Sequence, residues 1–532
     1  MRLYDALSVL SKSSPFAVST DVERTDELRQ IKDYLYVPSE IEEQFALKLN
    51  KLADKNAGIL FLCGSSGDGK SEILTRYKNS YQQLIDFHLD GTHSNSPQET
   101  AVEALNERFT KYKQSKRPLV VGINVGMLGN FAEEGAVEHD DIKSIIKEFL
   151  AVDSDTTSSD YRFLCFEDFQ RFSFSSEGVD SEFAQSIMKK LTKLSDENPF
   201  YSLLQSEIHR DTSSYLAVNF KLLARKEVQQ LLIELLLCAR LAKNQFMTAR
   251  ALLDFLYQLL CSKGYLFDTL FEGGDNELLD NLQSYDPALV RSKELDQFIV
   301  EQSTDATVLD FKTFTDELED EFGVIRVDSA YSHVRLFYLL HRIEFSSNYH
   351  RTFFQKSDDD LVRTFARLWL LHSGITGEGL SENYLFDFYF EKLIPSLHTY
   401  INRSAPQLPS DEFVISEYGE TIVAAKLNIT PDFERISKGK EKKTMCFQAY
   451  LLAEGEQIGV IEVTLNMLEL LLDVLKGYQP TRYDNEVILL LDEVVELILS
   501  VARKQSSLVF WRNGECTTFK KHHDKYIGVQ EG

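Results

Sequence analysis

Basic residues are scarce in this chain. Against 83 Asp and Glu there are only 57 Lys and Arg in 532 residues, a formal net charge of −26. So acidic a protein repels DNA phosphates at long range, which argues against one that grips duplex DNA over a broad surface. Local basic runs, Ser437–Lys443 and Lys520–Lys525, are the exceptions. A basic partner, or a partner subunit that itself holds DNA, fits the charge, and the same acidity also serves plain solubility. Cysteine is sparse too. The six residues at 63, 165, 238, 261, 446 and 516 form no CxxC pair, so neither a zinc ribbon nor a disulfide framework is indicated, and a reducing cytoplasm is expected. No apolar run reaches membrane-spanning length, and the opening MRLYDALSVLSKSSPF lacks the apolar centre of a signal peptide. No membrane partner is expected.

What is present is a motif. Residues 58–63 (GILFLC) read as a buried strand, and Ser71–Tyr77 as the first turns of a helix. Between them Gly64-Ser65-Ser66-Gly67-Asp68-Gly69-Lys70-Ser71, followed by Glu72, satisfies G-x-x-x-x-G-K-[ST] at every fixed position. Glycines let the backbone turn its N–H groups toward phosphates, and the helix start adds partial positive charge. In this reading Lys70 reaches the β- and γ-phosphates of ATP and Ser71 holds Mg²⁺. The alternative is a bare Gly-rich turn, which does not explain why strand, loop and helix all fall in place.

The length suggests about three domains. A mostly helical segment, 1–55, contains the helical spacing Ile41–Leu49. From 56 to 224 short apolar runs alternate with helical stretches at 98–113 and 140–150, the signature of a parallel sheet with crossover helices. The expected strands are 58–63, 84–89, 118–124, 162–167 and 214–219, giving an α/β P-loop core of AAA+-like type. Residues 225–404 read as a helical lid, with strong helices at Glu227–Leu241 and Ala249–Cys261, and loops at 273–276 and 303–305. Residues 405–532 read as an α+β module. Alternating runs at 412–428 and 444–465 flank the charged turn 437–443, helices follow near 466–477 and 486–504, and 507–511 reads as a late strand.

An ATPase of this kind also needs acids for Mg²⁺ and for the attacking water. Val487–Glu493 is the best literal match, but its apolar positions 487, 491, 494, 498 and 501 continue at helical spacing, so Asp492 and Glu493 are read as the edge of an amphipathic helix. Glu167 and Asp168, at the end of the fourth strand, are the preferred catalytic pair, with Asp168 as a metal ligand. The alternative for both is a satisfied polar strand end. Asn124 ends the third strand where an acid would be usual and is the candidate γ-phosphate sensor. Asp90 closes the second strand ahead of Gly91-Thr92-His93-Ser94 and could also face the phosphates. Arg210, before the expected fifth strand, is a candidate to reach a neighbour's nucleotide in a homo-oligomer, or else a solvated helix-end cation. Arg250 sits like the lid-helix arginine of AAA+ ATPases. His522 and His523 are adjacent, which suits joint chelation poorly, and read as part of a basic tail.

Four strings together, Leu7–Thr20, LFLCGSSGDGKSEILTRY (60–77), LDGTHS (89–94) and VVGINVGMLGNF (120–131), resemble the DptF family over the length of the chain. The resemblance implies a cytoplasmic ATPase subunit of the bacterial restriction system directed at DNA lacking phosphorothioate modification, working with DptG- and DptH-like subunits and meeting DNA mainly through them. Two other readings stand beside it. One is a nucleotide-binding switch or scaffold with little hydrolysis, favoured by the amide at the end of the third strand. The other is a nuclease, for which no paired-acid-plus-Lys motif is present.

Overall fold

The computed structural model describes all residues except 15–25, 56, 92–99, 152–160, 170, 177, 212–213, 244–246, 291, 304–308, 355–360, 375–380, 439–444, 482–483, 513, 523–524 and 530–532. Contacts divide the chain into two units. The first comprises Met1–Phe172, Ser181–Arg240 and Gln245–Lys356, and the second Ser173–Asp180, Leu241–Asn244 and Ser357–Gly532.

The first unit opens with a short helix, α1 (Leu3–Leu7), and a 3₁₀ turn, Ser8–Leu10, then α2 (Asp26–Leu35) and α3 (Glu40–Lys55). Strand β1 (Ile59–Cys63) leads through the glycine-rich loop into α4 (Lys70–Tyr81). There follow β2 (Asp86–His88), α5 (Ala101–Ser115), β3 (Leu119–Ile123), α6 (Val125–Glu134), α7 (Asp140–Ala151) and β4 (Tyr161–Cys165). The four strands are parallel in the order β2–β3–β1–β4, with β1 directly between β3 and β4.

All five residues of β1 are buried, as a strand covered on both faces requires. Its side chains alternate between two cores. Ile59, Phe61 and Cys63 pack with Leu105, Phe109, Leu128, Phe131, Ile142 and Ile146 from α5, α6 and α7. Leu60 and Leu62 pack with Phe45 and Leu49 of α3 and with Ile73 and Leu74 of α4. This three-layer sandwich fixes β1, and β1 in turn sets where the loop emerges.

The expected fifth strand at 214–219 is instead helical. After α8 (Glu182–Thr192) and α9 (Pro199–Arg210), residues Tyr215–Leu223 form α10, with Ser214 Oγ accepting the Ala217 N–H at 3.2 Å as its cap. Ala217, Val218, Asn219, Phe220, Leu222 and Leu223 are all buried. A helix buried on most sides carries no amphipathic stripe, so a short apolar run of this kind reads equally as a strand. The two helices expected next are present, α11 (Lys226–Lys243) and α12 (Ala249–Cys261), with further helices to Leu340. The loop at 273–276 lies between helices Leu266–Glu272 and Glu277–Leu282, whereas that at 303–305 falls mostly outside the described residues.

The second unit holds a two-stranded hairpin, β5 (Ser173–Ser175) and β6 (Gly178–Asp180), which the sequence reading missed although Phe172, Phe174 and Gly178 alternate as a hairpin would. Phe174 packs on Phe365 and Trp369 of helix Leu361–His372 in the same unit. The alternating runs farther on form antiparallel strands, and each folds as its own hairpin. β7 (Glu412–Tyr418) pairs with β8 (Thr421–Lys426), and, after β9 (Ile429–Pro431), β10 (Phe447–Ala453) pairs with β11 (Glu456–Val463). Helices Leu465–Leu475 and Asn485–Ala502 follow as expected, then β12 (Ser507–Arg512), β13 (Glu515–His522) and β14 (Lys525–Val529), which complete a five-stranded sheet with β8 and β7. Most of the charged turn 437–443, and His523, lie outside the described residues. Among the described residues no helix is long and apolar enough to cross a membrane.

Candidate functional site

The loop from Gly64 to Gly69 needs its glycines for three different reasons. A Cβ on Gly64 would sit 2.8 Å from both Asp68 Oδ2 and Phe166 Cδ2, so only a bare Cα passes between the loop and the end of β4. Gly67 has φ +90°, and a Cβ there would meet the Arg250 Cβ at 3.1 Å. Gly69, with φ +105°, precedes the first residue of α4 and has open space around it, so backbone conformation alone calls for glycine. The loop is held from within. Asp68 Oδ2 accepts the Ser65 N–H at 2.6 Å, and Lys70 Nζ donates to the carbonyls of Gly64 and Ser65 at 2.8 and 2.7 Å. Burial pulls the Lys70 ammonium below its ordinary pKa, opposed by the nearby charges of Asp68 and Asp90, and burial pushes the Asp68 carboxyl up, opposed by Arg171.

Beside the loop lies a cavity of about 390 Å³, within the usual size of a small-molecule site. One wall is polar: Ser66 to Glu72, Asp90, Asn124, Arg171 and Arg250. The rest of the lining is mixed and mostly from distant parts of the chain: apolar Val9 and Leu10 of the N-terminal turn, Leu35, Val37, Ile73, Phe183, Ile187 and Leu253, with Ser11, Lys32, Tyr36 and Ser39 among them. The N-terminal segment is fastened on both sides. Lys32 donates to Glu72 at 2.6 Å, Arg76 binds Glu72 at 3.0 Å and Asp33 at 3.2 Å, and the Arg76 guanidinium lies 3.4 Å from the centre of the Tyr36 ring. On α12 the buried Asp254 accepts the Lys12 N–H at 2.8 Å. The first turn of α12 is tied to the loop by the Arg250 N–H donating to the Gly67 carbonyl at 3.1 Å.

The residues singled out in the sequence separate here. Ser66 through Ser71, Glu72, Asn124 and Arg250 all line the cavity, with Asp90 added. Ser65 borders a small neighbouring recess instead. Asn124 caps α6 through Oδ1, which accepts the Met127 N–H at 2.6 Å, so its amide N–H groups are the ones left to meet a ligand. Glu72 is committed to Lys32 and Arg76. Glu167 and Asp168 form an exposed 3₁₀ turn after β4. Glu167 borders the small recess with Ser65, Asp68 and Arg171, and neither acid lines the main cavity. Arg210 ends α9, not the approach to a strand, where its side chain is 59 % exposed and pairs with Glu207 at 3.3 Å. Asp492 and Glu493 lie on the exposed side of helix Asn485–Ala502, with Asp492 accepting from the Tyr400 hydroxyl at 2.9 Å. Among the described residues no group of three or more metal-ligating side chains is gathered.

Sequence reasoning did not find Arg171, Lys32 or most of the apolar lining. No motif joins them to the loop, since they lie tens to more than a hundred residues away and meet it only through folding. No protein-family model, no curated protein and no solved structure matches this chain.

Proposed function

We propose that residues 64–71 are a phosphate-binding loop and that the chain binds ATP with Mg²⁺. The supporting observation is one geometry: positive-φ glycines at 67 and 69, Lys70 opening α4, and beside them a cavity of about 390 Å³ lined by both polar and apolar side chains. Lys70 would give up the loop carbonyls for phosphate oxygens. Ser71 would hold the metal, which in such sites neutralises the charge of the β- and γ-phosphates. Asp90, beside Lys70 and on the cavity wall, is the acid best placed to act through a metal-bound water, ahead of Glu167 and Asp168. Asn124 and Arg250 would face the terminal phosphate. On this reading the chain is an ATPase of P-loop, AAA+-like type. The resemblance to the DptF family supports a place in a phosphorothioation-dependent restriction complex with DptG- and DptH-like subunits.

The exposed position of Glu167 and Asp168, away from the cavity, favours a second reading: a nucleotide-dependent switch with little turnover. The test is calorimetric titration of the full chain with ATP and Mg²⁺, alongside ATP turnover. Lys70→Ala should weaken ATP binding by about a hundredfold, the worth of a strong charge-assisted contact, with the melting curve unchanged. Unchanged affinity in the folded variant overturns the binding reading. Tight binding without turnover, with and without DNA, selects the switch.

A further inference from the structure

One buried guanidinium on the cavity wall is unaccounted for by the motif. Arg171 follows the turn that ends β4, and its side chain is only 16 % exposed. It touches the tip of the loop twice. Nη2 lies 3.4 Å from the Asp68 carbonyl oxygen, which accepts from it, and 3.8 Å from Asp68 Oδ1. The second distance is long for a buried ion pair, beyond hydrogen-bond reach. Asp68 is already committed elsewhere, with Oδ2 on the Ser65 N–H. The Arg171 guanidinium lies over the Phe183 ring at 4.7 Å, and Phe183 also lines the cavity. That packing holds the planar fork at the edge of the space where a ligand would lie. A second guanidinium, Arg240, borders the same recess. Burial lowers the pKa of both arginines, and the charge of Arg171 lowers that of Arg240 further. Arg171 thus sits at long range from a carboxylate already engaged by the Ser65 N–H, with a second cation beside it, an arrangement that gains from an incoming anion.

We propose that Arg171 is the residue that reads the terminal phosphate, leaving Asp68 to bond a γ-phosphate oxygen and so setting the preference for a nucleoside triphosphate over a diphosphate. The inference rests on the nucleotide reading of the loop. A fork that reaches the cavity from the end of β4 meets the loop at Asp68, whereas Lys70 spans the carbonyls of Gly64 and Ser65, so the two cations approach a bound phosphate chain from different parts of the loop. Asp68 then serves as the resting partner, holding Arg171 beside the cavity when no anion is there. Breaking that contact on binding also couples the occupant of the cavity to the turn carrying Glu167 and Asp168, three residues upstream.

The test measures binding of a non-hydrolysable ATP analogue and of ADP, each with Mg²⁺, to the full chain by calorimetry. Arg171→Ala should weaken the analogue by roughly tenfold or more and ADP by less than about threefold, since a fork-to-phosphate contact is present for only one of them. Arg171→Lys, which keeps charge but not the fork, should fall between. Asp68→Asn retains an acceptor for Ser65 while releasing Arg171, and should widen the preference for the triphosphate. Equal losses for both nucleotides in the Arg171 variants, or no loss, would overturn the proposal, as would a narrowed preference in Asp68→Asn. If Arg171→Ala does not fold, Arg171→Lys and Asp68→Asn decide. A wild-type chain that takes up neither nucleotide removes the loop reading and this one together. A wild type that binds both, with variants that do not discriminate, removes only this one.

Discussion

Asp254 offers the sharpest test of how the N-terminal segment is held against the cavity. It is 2 % exposed and accepts three hydrogen bonds: from the Lys12 N–H at 2.8 Å, Gln258 Nε2 at 2.8 Å and Asn276 Nδ2 at 2.9 Å. In Asp254→Ala all three donors lose this acceptor. Gln258 turns to water, and Asn276 keeps the Ala251 carbonyl at 3.1 Å. The Lys12 N–H loses its acceptor on the inner side of the segment. One stranded donor and the weakened Asn276 together put the loss at about 2–4 kcal/mol. Asp254→Asn, which keeps one acceptor oxygen, should lose about half of that. A chain of two units need not unfold in one step. Both tryptophans, Trp369 and Trp511, lie in the second unit, so their fluorescence does not report on the first. The measurements are therefore urea unfolding followed by far-ultraviolet circular dichroism, and amide hydrogen exchange over residues 3–12. Nucleotide affinity should fall as well, although Asp254 does not line the cavity, because Val9 and Leu10 do. Undiminished protection of residues 3–12 in Asp254→Ala would refute the reasoning.

Three further outcomes are expected. Gly67→Ala should cost more stability and affinity than Gly69→Ala. Both carry the left-handed penalty of about 1–2 kcal/mol, but only at 67 does the new Cβ press on Arg250, which paired melting curves and titrations will rank. Asp90→Asn should slow ATP turnover more than it weakens binding, while Asp492→Asn with Glu493→Gln leaves turnover unchanged. The reverse pattern in a turnover assay would place the acid on helix Asn485–Ala502. Acid should destabilise the fold through His88, His350 and His372, whose pKa values burial lowers to about 4. A histidine whose folded value lies below its unfolded 6.5 takes up a proton first in the unfolded chain. Stability is then complete above pH 6.5 and declines as pH falls toward 4, by at most roughly 3 kcal/mol per histidine. His350 shows the balance: the Leu340 and Ile343 carbonyls at Nε2 favour the charged ring, but burial outweighs them, and Nδ1 has no partner among the described residues for a second proton. Melting temperature against pH, with His350→Gln as the variant that should flatten the slope, checks this.

The loop was legible because each requirement is local: strand, glycines, lysine and helix start all fall within about fifteen residues. So was the helix that carries Asp492, since helical spacing outlasts the acids on both sides. The fifth strand was not, because α10 is buried around most of its surface and leaves no stripe to distinguish 3.6 from 2 as the period. The assignment of acids failed to reach the cavity for a related reason. A strand's end can be read from sequence, but whether the residues after it face the loop depends on the local turn the chain takes there. Asn124 and Asp90, after β3 and β2, line the cavity, whereas the chain after β4, although β4 adjoins β1, turns at once into an exposed 3₁₀ turn that carries Glu167 and Asp168 off it. Arg171 and most of the apolar lining meet the loop across tens to more than a hundred residues, and nothing in a single sequence marks them.

The hairpin β5–β6 has a consequence for synthesis. It belongs to the second unit, yet it precedes Phe365 and Trp369, on which Phe174 packs, by nearly two hundred residues. At translation rates of about 5–20 residues per second, the strands leave the ribosome roughly 10–40 s before their packing partners exist. A two-stranded ribbon alone is marginally stable in water. For that interval Phe174 must be shielded by something other than its native neighbours. Fragments cut between residues 340 and 361 would make the delay permanent. The upstream piece would carry a ribbon with no mate, and the downstream piece would lack the aromatic ring that fills its place against Trp369.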